Sequence, residues 1–142
     1  MFKTGSAMID AEHAFTRASR AGRRAALLRA VRRDSEGAQL PVLSARHRAH
    51  AHAGIREIPI DAIAGTLEPA RAAQFDAAFR PIRRALRRRW ERIWMAEERG
   101  AMLPPISVVP VGAVYAVRDG HHRVSVARAR GAIAIDGIVE AF

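Results

Sequence analysis

Val117-Arg118-Asp119-Gly120-His121-His122-Arg123-Val124 is the stretch whose reading decides the fold. The residues from Val114 to Val117 read as a strand, Asp119-Gly120 punctuates, and His121 to Arg130 reads as a short helix closed by Gly131. A strand that ends at glycine and feeds a helix exposes that helix's first N–H groups. With the helix dipole they form a site for phosphate or another anion. His121, His122 and Arg123 add donors at the same point, and Arg123 can hold an oxyanion bidentately. Asp119 can cap the helix or help hold a phosphate-bound magnesium ion. On the residues alone, a structural cap and turn explains the pattern equally well.

Outward from this stretch, Ile106 to Val109 and Val114 to Val117 form two strands around a Val111-Gly112 turn, and Ile133 to Val139 is a last strand. Ile58-Pro59-Ile60 with Ile63 is an earlier strand, and Pro59 predicts that it lies at an edge. Helices are expected over Ala72–Phe79 and from Pro81 to about Arg99. On the second, Phe79, Ile82, Leu86, Trp90 and Ile93 share a face, with Arg80, Arg84, Arg87 and Arg88 opposite and Arg89 at the border. Trp90 belongs to the core and Trp94 to the edge of the apolar arc. Asp10 to Asp34 reads as an alanine- and arginine-rich helix lying over a surface, because Phe15, Leu27, Leu28 and Val31 are its only large apolar residues. Leu40 to Gly54 reads as a loop. The expected class is α/β (α+β): a small mixed sheet with packed helices. An N-terminal extension covers residues 1–54 and the main domain 55–142.

A chain of 142 residues that is 49% hydrophobic buries one core. It has no cysteine, which excludes disulfides, thiolate metal sites and cysteine nucleophiles. No apolar run approaches the ~20 residues that cross a bilayer, so the expectation is a cytoplasmic protein without a membrane partner. Lys and Arg number 24 against 14 acidic residues, for a net charge of +10, and Lys3 is the only lysine. Arginine suits phosphate and nucleic-acid surfaces, and Arg84, Arg87 and Arg88 are the candidate DNA contacts. A compositional preference for arginine and alanine explains much of the same excess.

The order strand–Gly120-His121-His122-Arg123–helix–Gly131–strand resembles the ParB/sulfiredoxin superfamily. Pro105-Ile106-Ser107-Val108 is similar to its "PI-x-V" strand, and Ile58-Pro59-Ile60-Asp61-Ala62-Ile63 to the opening strand of ParB N-terminal domains. The nearer resemblance is to small stand-alone bacterial ParB-like proteins, through Arg89-Trp90, Pro104 to Val108, Tyr115, Val117 and Asp119 to Arg128. It implies a nucleotide, CTP or ATP with Mg2+, held by Asp119, Gly120, His121, His122 and Arg123, with slow hydrolysis and a DNA-associated or regulatory role open. The departures are specific. Sulfiredoxins have Gly-Cys-His-Arg, and His121 stands at the cysteine's place, which excludes that activity. The partition proteins have Gly-Glu-Arg-Arg, and His122 replaces the first of those arginines. They also carry helix-turn-helix and dimerisation domains, which are not expected here. Free serine kinases have an Asp-Gly-His-x-Arg form and a catalytic glutamate after the first strand, for which Glu68 is the candidate and Glu57 the second. A surface glutamate beside Pro69 is the plainer reading of Glu68. A small-molecule kinase and a basic DNA-binding accessory protein therefore stand as alternatives, and a homo-oligomer is open.

Two further features carry less. His47, His50 and His52 have metal-ligand spacing but no cysteine and few acids nearby, so a solvated loop is preferred. Ser125 is expected on the helix surface.

Overall fold

The computed structural model describes residues 5–44 and 51–141. It is an α+β fold with one five-stranded mixed sheet in the order β1-β5-β3-β4-β2. The strands are β1 (Ala51–Pro59), β2 (Ile63–Thr66), β3 (Ile106–Val111), β4 (Val114–Asp119) and β5 (Ala134–Ala141). The helices are α1 (Ala7–Arg32), α2 (Pro69–Ala72), α3 (Arg87–Glu98) and α4 (His121–Ala129), with 3-10 turns at Ile60–Ala62 and Arg84–Leu86.

β3 and β4 form the expected antiparallel hairpin, with Gly112 in its turn at φ 62°. The α4 crossover returns the chain to β5, which lies parallel to β3 and antiparallel to β1. β1 is an edge strand, as Pro59 predicts. Gly137 of β5 is required by close packing: a Cβ there would run into Ile58 Cδ1 and stand 3.2 Å from Ile106 Cγ1. β2 pairs parallel with β4, from Ile63↔Tyr115 to Thr66↔Val117. That pairing carries the chain after Thr66 to the end of β4, where α4 begins.

The expected helix over Ala72–Phe79 does not form. Asp76 is 1% exposed, and its Oδ1 accepts from the backbone N–H groups of Ala78 (3.0 Å) and Arg80 (2.9 Å). A side chain that satisfies these donors competes with a helical ladder. Phe79 turns left-handed, at φ 59°, and Phe75 and Pro81 form an isolated bridge. The helix expected from Pro81 therefore starts only at Arg87.

α1 packs on α3, and α3 on α4. Phe15 meets Trp90 edge-to-face at 5.5 Å, and Trp90 stacks on Trp94 at 5.6 Å. Aromatic pairs of this kind add about 0.5–1.5 kcal/mol beyond the area they bury. Trp94 is as buried as Trp90, because α4 closes over the edge of the arc and Arg130 covers the indole face at 4.3 Å. Ser125 is buried as well, since its hydroxyl accepts from Trp90 Nε1 at 2.8 Å. At the far end of α1, Leu27, Leu28 and Val31 remain exposed. Among the described residues, no helix is long and apolar enough to cross a membrane.

Candidate functional site

A cleft of about 180 Å3 lies at the start of α4, lined by Glu68, Arg71, Arg89, Ile93 and the residues from Arg118 to Arg123. Three parts of the chain meet there: the segment after β2, one side of α3, and the β4–α4 junction. All five phosphate-site candidates, Asp119 to Arg123, line it, and so does Glu68.

Gly120 is the N-cap of α4 at φ 105°, and no side chain caps the helix. The first N–H groups of an uncapped helix have no partner within it. The need for glycine here is internal as well as conformational, because a Cβ would stand 2.9 Å from Ile106 Cβ. Close approach of a ligand is not required to explain it.

Arg123 is committed inward. Its Nη1 donates to the Pro104 and Pro105 carbonyl oxygens, the latter at 3.0 Å, and its Nη2 to Asp119 Oδ2 at 3.1 Å. It acts as a strut that holds the 104–105 segment and the end of β4 to α4. The free bidentate grip expected from the sequence is already occupied. Arg118 is occupied too, by an ion pair with Glu140 at 3.0 Å, and Glu140 also accepts from Ser107 at 2.8 Å.

The histidines are interior groups, each 4% exposed. His121 Nε2 lies 2.6 Å from Thr66 Oγ1. Whichever of the two donates, that ring nitrogen is spent on the interior. Burial pushes its pKa down to about 4, assisted by the charge of Arg71 and opposed by Asp119. Burial pushes His122 down to about 4 as well, assisted by Arg89 and Arg71. Both rings are therefore neutral at pH 7. His122 packs edge-on against Phe75 at 5.3 Å, and its buried Nε2 has no hydrogen-bond partner among the described residues.

The uncommitted cations of the cleft are Arg71 and Arg89. Arg71 Nη1 donates to Gln74 Oε1 at 3.3 Å, and neither guanidinium has an ion-pair partner among the described residues. Their field on both histidines shows that their charge reaches the site. Sequence reasoning missed them as ligands. Arg89 carried a signal, standing beside the anchor Trp90. Arg71 carried none, because it reaches the site only through the β2–β4 pairing. Glu68 is exposed, and its N–H is fixed by Thr66 Oγ1 at 2.8 Å.

Among the described residues, no group of three His, Asp or Glu side chains could hold a metal ion by itself. Asp119 and Glu68 are the carboxylates of the cleft, and Asp119 is shared with Arg123. His47 and His50 lie outside the described residues, whereas His52 falls in β1, so the loop expected over Leu40–Gly54 gives way to a strand from Ala51. Arg84, Arg87 and Arg88 do not line the cleft. Arg87 is tied to Glu91 (3.4 Å), to Thr16 (3.3 Å) and to the Phe15 ring face, while Arg88 is exposed.

Fold and site together define an α+β protein with a polar, arginine-flanked cleft at a strand–helix junction. Compared with known protein families, curated proteins and solved structures, the chain matches none.

Proposed function

We propose that this is a cytoplasmic, ParB-like nucleotide-binding protein that holds phosphates at the start of α4. The observation that carries the reading is the meeting of two unpaired arginines, Arg71 and Arg89, with an uncapped helix N-terminus in one small cleft. Uncapped N–H groups and guanidinium charge are what a phosphate dianion selects. Neutral His121 and His122 add no charge, so the arginines supply the positive charge of the cleft. Arg71 and Arg89 take the role first expected of Arg123, and Arg123 keeps the cleft in shape.

Glu68 is the cleft carboxylate not engaged by arginine, which favours phosphoryl chemistry as an additional property. As an exposed carboxylate lining the cleft it would be the group to accept a proton from water or from an acceptor hydroxyl, in slow hydrolysis or a small-molecule kinase. Asp119 and Glu68 would be the carboxylates nearest a phosphate-bound Mg2+, which would neutralise charge on the phosphates.

Calorimetric titration with CTP and ATP, each with and without Mg2+, tests the reading. The parent protein is expected to bind, and Arg71→Ala and Arg89→Ala each to lose about 1.5–3 kcal/mol of binding free energy. Unchanged affinity in both variants, or no binding by the parent, overturns it.

A further inference from the structure

A groove of about 530 Å3 lies between α1 and the 81–87 segment and shares no lining residue with the α4 cleft. Along α1 its wall extends from Phe15 to Arg29, roughly 21 Å at the helical rise. Ser19, Gly22 and Ala26 give that wall small side chains, and Ala38, Pro81 and Ile82 complete an apolar lining. Charge is spread along the groove rather than gathered at a point. Arg87 donates to Thr16 near one end, whereas Arg29 lies beside Gly37 at the other. Arg87 is shared with Glu91, but Arg23, Arg29 and Arg84 have no ion-pair partner among the described residues. No carboxylate lines the groove.

A small anion needs cations that converge, and these do not. Cations spread along an apolar groove match a chain that carries several negative charges and an apolar side. Single-stranded nucleic acid gains its affinity by stacking on open aromatic faces. Phe15 offers none, being 2% exposed, packed on Trp90 and covered by the Arg87 guanidinium. An anionic bilayer is a broad surface and does not enter a groove. A second copy would bring the same arginines into repulsion, and residues 1–4 and 45–50 contain Lys3, Arg46 and Arg48 but no acid. An acidic polypeptide remains. The backbone of α1 is hydrogen-bonded within the helix, so an added strand finds no edge there, whereas a helix needs none.

We propose that the groove between α1 and the 81–87 segment docks an acidic amphipathic helix of a partner protein. Apolar side chains three and four residues apart on that helix rest on Ala26, Pro81 and Ile82. The small Ser19 and Gly22 let the two helices approach closely. Carboxylates on the flanks of the docked helix meet Arg23, Arg29 and Arg84, which supply orientation and a salt-dependent rate of association.

Fluorescence polarisation tests this with labelled peptides of about 14 residues, the length of helix that spans the groove. Each has leucine at i, i+3 and i+4 spacing, with glutamate, glutamine or lysine at the remaining positions. The parent is expected to bind the glutamate peptide about tenfold or more tighter than the glutamine peptide, and the lysine peptide least. Arg23→Glu combined with Arg84→Glu, both at exposed positions, should invert that order. Ala26→Trp, also at an exposed position, fills the groove and should lower glutamate-peptide affinity by about tenfold. Arg17→Ala combined with Arg24→Ala, on the other side of α1, should stay within about twofold of the parent. A parent that binds the glutamate and glutamine peptides equally, or binds neither, overturns the proposal. So does an order of peptides that charge reversal leaves intact, or an affinity that Ala26→Trp does not lower. A mixed-sequence DNA duplex that displaces the glutamate peptide, and itself binds less well to Ala26→Trp, makes nucleic acid the occupant and overturns it too.

Discussion

At the start of α4, the Arg123 guanidinium reaches two backbone carbonyls and a carboxylate, and Arg118 is paired with Glu140. Along α1, Arg17, Arg20, Arg23 and Arg24 are exposed, with no ion-pair partner among the described residues. The same residue type builds a site in one region and charges a surface in the other. What differs is the supply of acceptors. The β4–α4 junction offers carbonyls freed by Pro104 and Pro105 and the Asp119 carboxylate, so arginine becomes structural there. The outer side of α1 offers only a hydrogen-bonded helix, so arginine stays solvated. Net charge alone does not separate these cases; partner geometry does.

The contrast predicts that substitutions at the α4 junction disturb the fold while those on α1 do not. Gly120→Val should have the largest effect, about 3–5 kcal/mol of stability, from a β-branched residue at φ 105° and overlap with Ile106. Chemical denaturation measures it, and an effect below about 1 kcal/mol, on the order of an ordinary surface change, would show that the junction is adaptable.

Acidification comes next. His121 and His122 have pKa values near 4 in the folded protein against an ordinary 6.5. Above pH 6.5 both states are neutral and pH has no effect through these groups. As pH falls from 6.5 towards 4, the unfolded chain takes up protons that the folded chain refuses. Stability therefore falls across that window, by roughly 3 kcal/mol per histidine, and levels off below it. Denaturation midpoints at pH 7, 5.5 and 4 check this, with His122→Gln expected to flatten the slope. A pH-independent midpoint would mean that the rings are not interior groups.

Arg123→Ala is expected to cost about 2 kcal/mol of stability, since it leaves two proline carbonyls and Asp119 without their charged donor. Arg123→Lys should recover less than half, because an ammonium lacks the fork that spans three acceptors. This differs from what the motif suggests, where Arg123 serves to hold an oxyanion. Full stability in Arg123→Ala would restore that view.

The hairpin, the edge strand, α4 and the five junction residues were legible because each has a local cause: alternation, a proline, a glycine at a strand–helix join. The 72–86 region was not. Its helical periodicity is real, but the Asp76 side chain satisfies the backbone locally and Phe79 accepts a left-handed turn. The fate of Arg123 was hidden for a related reason, since two of its three acceptors lie 18 and 19 residues back in sequence. Arg71 shows the same limit, being brought to the site by a parallel pairing between strands far apart in the chain. Residues whose roles depend on distant partners carry no local signal.

The smallest expected effect on stability lies on α1, and there the comparison can be sharpened most. Grooves of about 530 and 430 Å3 flank this helix, lined among others by Arg23, Arg29 and Arg84 on one side and by Arg17 and Arg24 on the other. No carboxylate lines either groove. A DNA-associated role, if the chain has one, belongs to the α1 arginines more than to Arg84, Arg87 and Arg88 as a set, because Arg87, which lines the first groove with Arg84, is held by Glu91 and Phe15. Replacing Arg17, Arg23 and Arg24 by Ala should change stability by less than about 0.5 kcal/mol, as surface substitutions do. The same variant should weaken binding to a mixed-sequence duplex and lower the slope of log affinity against log salt by about 0.9 for each phosphate it no longer neutralises. The Arg84, Arg87 and Arg88 triple variant should do the reverse, costing stability through Arg87 and changing the salt slope by about 0.9 at most. Equal salt slopes in both variants and the parent would leave the arginines of α1 as solvated charge, and the α4 junction as the place where arginine has been given a task.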